Sequence, residues 1–151
     1  MTDIATPVPL LIVDDLDENL LALEALLKAD NLTFLRARSG EEALELLLKN
    51  DVALALLDVQ MPGMDGFELA EFMRGNERSR RVPIIFVTAG SGDTHRRFRG
   101  YEAGAVDFIQ KPIEADILRS KVGVFVDLHQ QRLALSRSAD QLEGQVRDGG
   151  D

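Results

Sequence analysis

VALALLDVQMPGMDG, residues 52–66, is the stretch on which the fold turns. Val52–Leu57 is wholly apolar and stops at a single acid, Asp58. A short, unbroken apolar run suits a strand covered on both faces, as in a parallel sheet. MPGMDG behind it, residues 61–66, is turn material rich in Gly and Pro. The same grammar recurs on either side. Val8–Asp14 is apolar up to a pair of acids, Asp14 and Asp15. Val82–Val87 (VPIIFV) ends at Thr88, and Ala105–Ile109 ends at Gln110, Lys111 and Pro112. Leu32–Arg38, with apolar residues at 32, 34 and 35, is a weaker fifth strand.

Helical spacing fills the gaps between these runs. Asn19–Ala29 carries Leu20, Leu21, Leu23, Leu26 and Leu27. Ser39 with Glu42 reads as a capping box opening a helix through Lys49. A helix is predicted over Phe67–Arg74, a less regular one over Gly92–Ala103, and a long amphipathic one from Glu114 to Val146. RDGGD at the end reads as a frayed tail. Strands alternating with helices predict an α/β fold with a parallel sheet and helices on both faces.

Composition removes several function classes. The net charge of −9 disfavours direct DNA binding, which needs a basic face. With no cysteine, disulfides, thiol catalysis and Cys-ligated metals are excluded. His95 and His129 are the only histidines, so a multi-histidine metal site is excluded as well. No apolar run approaches the roughly 20 residues that span a bilayer, and MTDIATPVPL lacks a basic signal-peptide start. A cytoplasmic protein without membrane attachment is expected. The basic stretches Arg74, Arg78, Arg80, Arg81 and His95, Arg96, Arg97, Arg99 read as solvated faces.

In open α/β sheets ligands bind outside the carboxyl ends of the strands. The residues that stop the strands are Asp14, Asp15, Asp58, Thr88 and Lys111, so a parallel sheet brings them to one rim. Taken singly, each has an ordinary explanation: acids after strands are turn or capping residues, Thr88 a β-branched strand residue, Lys111-Pro112 a turn. Together they form a chemical set. Three carboxylates repel one another unless a cation joins them. Oxygen ligands alone point to Mg²⁺. Lysine and a hydroxyl suit the oxygens of a phosphoryl group, and a carboxylate can be its nucleophile.

LLIVDD (10–15), LLDVQMPGMDG (56–66), IIFVTA (84–89) and GAVDFIQKP (104–112) give the chain its resemblance to the receiver domain of two-component response regulators. The resemblance covers residues 8–128. It implies a flavodoxin-like (βα)5 three-layer sandwich with strand order 2-1-3-4-5. It implies that Asp58 is the phosphoacceptor, that Asp15, Asp58 and the Gln60 backbone carbonyl ligate Mg²⁺, and that Asp14 acts through a metal-bound water. Lys111 would bridge to the phosphoryl group, Thr88 would hydrogen-bond it, and Phe108 would be the aromatic switch. The Lys111–Pro112 bond would be cis, and Gln60 and Gly90 would border the path of an attacking water. The implied partner is a sensor histidine kinase or a phosphotransfer protein.

Two other readings remain open at this point. An aspartyl-nucleophile phosphatase of haloacid-dehalogenase type also has Asp-rich strand ends, and Asp15-x-Asp17 superficially fits it. An unphosphorylated structural pseudo-receiver is the other. Beyond the receiver span, residues 129–147 are expected to form a coiled-coil extension and 148–151 a disordered tail. Leu118, Val122, Phe125, Leu128, Arg132, Leu135, Ala139, Leu142 and Val146 keep a 3.5-residue period, which predicts a parallel homodimer of modest strength. Arg132 and Ala139 weaken that seam, as do Gly123 and Gly144 at roughly 1 kcal/mol each.

Overall fold

The structure, a computed structural model, describes residues 7–89, 102, 104–105 and 107–149, with side chains to Ala139. Five parallel strands form one sheet: β1 (Val8–Val13), β2 (Leu32–Ala37), β3 (Leu54–Asp58), β4 (Ile84–Thr88) and β5 (Asp107–Gln110). Their order is β2-β1-β3-β4-β5, the flavodoxin-like order expected. The helices are α1 (Asp17–Leu27), α2 (Gly40–Lys49), α3 (Gly66–Gly75) and α4 (Ala115–Gly149). Of the helix predicted over Gly92–Ala103 only Glu102, in helical conformation, is described; His95, Arg96, Arg97 and Arg99 lie outside the described residues.

Why the central runs are apolar throughout is visible in their alternation. Leu11, Val13, Ala55, Leu57, Ile84 and Phe86 point to the face covered by α2 and α3. Leu10, Ile12, Leu54, Leu56, Ile85 and Val87 point to the face covered by α1 and α4. Side chains alternate across a strand, so a strand buried on both faces must be apolar at every position. The edge strand β2 is only partly buried and carries Thr33 and Arg36, which explains its weaker pattern.

Several boundaries differ from the sequence reading, each for a local reason. Helix α1 starts at Asp17 rather than Asn19, behind Leu16, which supplies no side-chain cap. The Asp14 carboxylate instead accepts from the Leu16 N–H at 3.0 Å. Val52 and Val82 are buried yet precede their strands, because burial extends past the last ladder pair. Ser39 accepts from the Glu42 N–H at 3.1 Å. The complete reciprocal box belongs to Asp65 and Glu68, at the start of α3. Helix α4 runs unbroken to Gly149, three residues past Val146, because Arg147 and Asp148 lack apolar periodicity without opposing a helix. It buries Leu118, Val122 and Val126 against the sheet, while Leu128 and Leu135 are exposed.

Candidate functional site

Strand pairing assembles the site. Val13 is level with Leu57 in the β1–β3 ladder, so the next residues, Asp14 and Asp58, stand side by side at the end of the sheet. Asp58 is level with Val87 on β4, and Thr88 with Gln110 on β5. The Lys111 N–H donates to the Thr88 carbonyl at 2.8 Å, extending that pairing one step. The Lys111–Pro112 peptide is cis.

Carboxylate oxygens of Asp14, Asp15 and Asp58 all lie within 4.8 Å of one another. Asp14 and Asp58 are buried and Asp15 half-buried. Lys111 Nζ stands 3.7 Å from Asp14 Oδ2, giving one positive charge for three negative ones. Burial raises the Asp58 carboxyl from 3.8 to about 6, and the Asp14 charge adds to it. Lys111 and the Gln60 backbone N–H oppose the rise, and Asp15 contributes a smaller push upward. Asp58 is therefore a buried, proton-hungry acid held beside two others.

The backbone around Asp58 leaves no room for side chains. The Gly66 N–H donates to the Val59 carbonyl at 3.0 Å. A Cβ on Gly66 would stand 2.3 Å from the Asp58 carbonyl oxygen, so helix α3 can start there only with glycine. Gly63, with φ +74°, makes the preceding turn. Phe67 on α3 meets Phe86 edge-on at 4.8 Å, and Phe86 meets Phe108 at 5.6 Å. This aromatic row links the start of α3 to half-buried Phe108 on β5. Thr88, also half-buried, closes β4. Beside the acids, a cleft of about 260 Å³ opens between α1 and the turn after β5, with Asp14 and Lys111 in its wall and Leu23, Leu26 and Ile113 around them.

Every site residue named from the sequence except Gly90 lies among the described residues, at the carboxyl rim or the strands feeding it. One assignment needs correcting: Arg74 is not part of a solvated basic loop. Its guanidinium donates to the carbonyls of Arg80, Val82 and Gly104, each at 2.8 Å. The cleft beside the acids was not foreseen either, since it depends on how α1 sits against the β5 turn. The Asp65-x-x-Glu68 box was readable, being the same signal as Ser39-x-x-Glu42.

The profile of the response regulator receiver domain matches residues 10–123. The chain belongs to this family. It is 38% identical over 115 residues to the response regulator PleD of Caulobacter vibrioides, covering 75% of this chain and 25% of that protein. It is 34% identical over 139 residues to the transcriptional regulatory protein SrrA of Staphylococcus aureus, covering 92% of this chain and 54% of SrrA. The receiver thus spans about half or less of these relatives' lengths. Among solved structures, a CheY-like response regulator receiver domain protein from Methanospirillum hungatei superposes with a TM-score of 0.74. That likeness is 26% identical and covers 84% of this chain and 99% of the other. Among the described residues, no helix is long and apolar enough to cross a membrane.

Proposed function

We propose that this receiver is a phosphorylation switch with Asp58 as its phosphoacceptor. The observation that carries the reading is the buried Asp58 carboxylate, crowded by Asp14 and Asp15 with Lys111 as the nearby cation. An Asp58 oxygen attacks phosphorus in line, the donor's bond to phosphorus breaks, and the leaving group departs with that electron pair. A histidine kinase or phosphotransfer protein supplies the donor, approaching over the cleft beside Asp14 and Lys111. Lys111 holds one phosphoryl oxygen and Thr88 another.

The donor set fits a divalent cation. Three carboxylates against one ammonium leave two negative charges, and every ligand is oxygen. Asp15, Asp58 and the Gln60 backbone carbonyl would hold Mg²⁺, with Asp14 acting through water. When bound, it neutralises charge on the acids and on the incoming phosphoryl oxygens. Lys111 and Thr88 then orient the group. Contact between Thr88 and the phosphoryl group frees space into which Phe108 moves from its place on Phe86, and the β5–α4 face changes shape.

The domain reading follows: residues 8–128 form the cytoplasmic switch and 129–147 a helical extension that pairs with a second copy. Leu135 is 71% exposed, with no cover among the described residues, which favours a partner. The output it drives belongs to whatever that pairing reorients.

Acetyl phosphate with Mg²⁺ tests the core of this reading. One acid-stable, base-labile label per chain is expected on the wild type, with none on Asp58→Asn or in EDTA. Full labelling of Asp58→Asn would overturn the assignment, and steady turnover of a small phosphoester would replace it with the phosphatase reading. Sedimentation of wild type against the Leu135→Asp, Leu142→Asp double variant tests the pairing: a wild type monomeric at high concentration, phosphorylated or not, removes it.

A further inference from the structure

At the opposite end of the sheet from Asp58, the segments entering β3 and β4 and the middle of α4 enclose a groove of about 300 Å³. Its polar wall is made of Arg78, Arg81, His129, Arg132, Ser136 and Asp51. Val82 and Leu133 lie among them. Among the described residues Asp51 is the one acid in that wall, and Arg78 already engages it at 3.3 Å. Three guanidiniums against one carboxylate give this described lining an excess of two positive charges, in a protein whose net charge is −9. Burial and Arg132 together push the His129 imidazole down from its ordinary value, against the weaker pull of Asp51. The lining is therefore net positive even with His129 neutral.

We propose that this groove binds a compact, phosphate-bearing small molecule carrying at least two negative charges. Guanidiniums match phosphate oxygens in paired hydrogen bonds, and three of them approach the groove from two different elements. The Ser136 hydroxyl adds a neutral donor. The volume is at the lower end of ordinary ligand sites, which suits a diphosphate or a small phosphate ester. The occupant bridges Arg81 on the β4 approach and Arg132 on α4, which line the same groove. It thereby ties the helix to the domain beyond Val126, the last buried side chain of α4 among the described residues, and governs the angle at which the helix leaves.

This site is independent of Asp58. The test is calorimetric titration of the full chain in EDTA, at constant ionic strength, with inorganic pyrophosphate in one arm and phenyl phosphate in the other. Saturable one-to-one binding is expected in at least one arm, weakened tenfold or more by the Arg81→Gln, Arg132→Gln double variant. Tighter binding of pyrophosphate identifies an inorganic or polyphosphate occupant; tighter binding of phenyl phosphate identifies an organic ester lying on Val82 and Leu133. The His129 resonance, assigned through His129→Gln, should titrate at higher pH when the anion is bound, because negative charge favours the imidazolium. Both Arg residues are exposed, and normal labelling of Asp58 by acetyl phosphate reports that the double variant is folded. Absence of saturation in both arms, or equal binding by the double variant, overturns the site.

Discussion

Helix α3 has a desolvated charge near each end, Asp58 buried and Arg74 partly so, and the two are treated in opposite ways. At its start Asp58 lies under Gly66, with like charges beside it and a backbone N–H and a lysine as its relief. At its end Arg74 faces three carbonyl oxygens, each at 2.8 Å, and no competing cation is among those partners. Burial works against both, raising the acid and lowering the base. A charge whose donors all find acceptors is a brace. A charge surrounded by its own sign is held ready for something that arrives later. Burial alone does not separate structure from function here; the sign of the neighbours does.

Breaking the brace should produce the largest change in stability. Arg74→Met keeps the stem and removes the donors to Arg80, Val82 and Gly104. Those carbonyls join the α3–β4 loop to the segment entering β5, and charged hydrogen bonds of this kind contribute about 1.5–3 kcal/mol each before partial rehydration. A loss of about 3 kcal/mol is expected in urea unfolding. Gly104 is part of the same device: its φ is +90°, and a Cβ there would stand 2.5 Å from Arg74 Nε. A loss below about 1 kcal/mol would place Arg74 back among solvated arginines.

Removing the charge at the other end should do the reverse. Asp58→Asn is expected to stabilise the chain in EDTA at pH 8. The folded carboxyl sits at about 6 against 3.8 unfolded, so its favourable contribution is complete below about 3.8 and is lost as pH rises through 6. That difference converts to at most roughly 3 kcal/mol, and partial solvent screening brings the expected gain of the variant to about 2 kcal/mol. The gap between variant and wild type should close as pH falls through 6 and vanish near 4. Added Mg²⁺ should also narrow it, by stabilising the wild type. A pH-independent gap would mean that Asp58 is not strained by its neighbours.

The contrast also explains which parts of the protein were readable from sequence. Strands β1, β3 and β4 announce themselves because two-sided burial demands an apolar residue at every position, and their last polar residues had to converge once the sheet was parallel. Asp14, Asp58 and Lys111 were legible for that reason: their positions depend on strand order alone. Arg74 was not. Its partners are backbone carbonyls 6, 8 and 30 residues away, and carbonyls leave no mark in a sequence. Val126 was likewise hidden, because a 3.5-residue period selects Phe125 and Leu128 while the sheet-facing stripe of α4 advances by fours through Leu118, Val122 and Val126. The basic groove depends on α4 passing the β4 approach, which no local pattern encodes.

A third charged contact lies between these extremes and should show the smallest effect. Lys121 on α4 forms an ion pair with Asp107, whose other oxygen accepts from the Phe108 N–H at 2.8 Å. The pair ties the residue before Phe108 to the last helix, about a third exposed on each side. Exposed pairs contribute roughly 0.2–1 kcal/mol, since water already satisfies much of both charges. A double-mutant cycle with Asp107→Asn and Lys121→Met should therefore give a coupling of about 0.5 kcal/mol that shrinks at 0.5 M salt, where the Debye length falls to about 4 Å. Asp107→Asn retains an acceptor for the Phe108 N–H, so it isolates the charge from the hydrogen bond. A salt-insensitive coupling above about 2 kcal/mol would move the pair into the class of Arg74, a desolvated brace. The small value instead leaves β5 free to shift against α4 at little cost, as the proposed displacement of Phe108 requires.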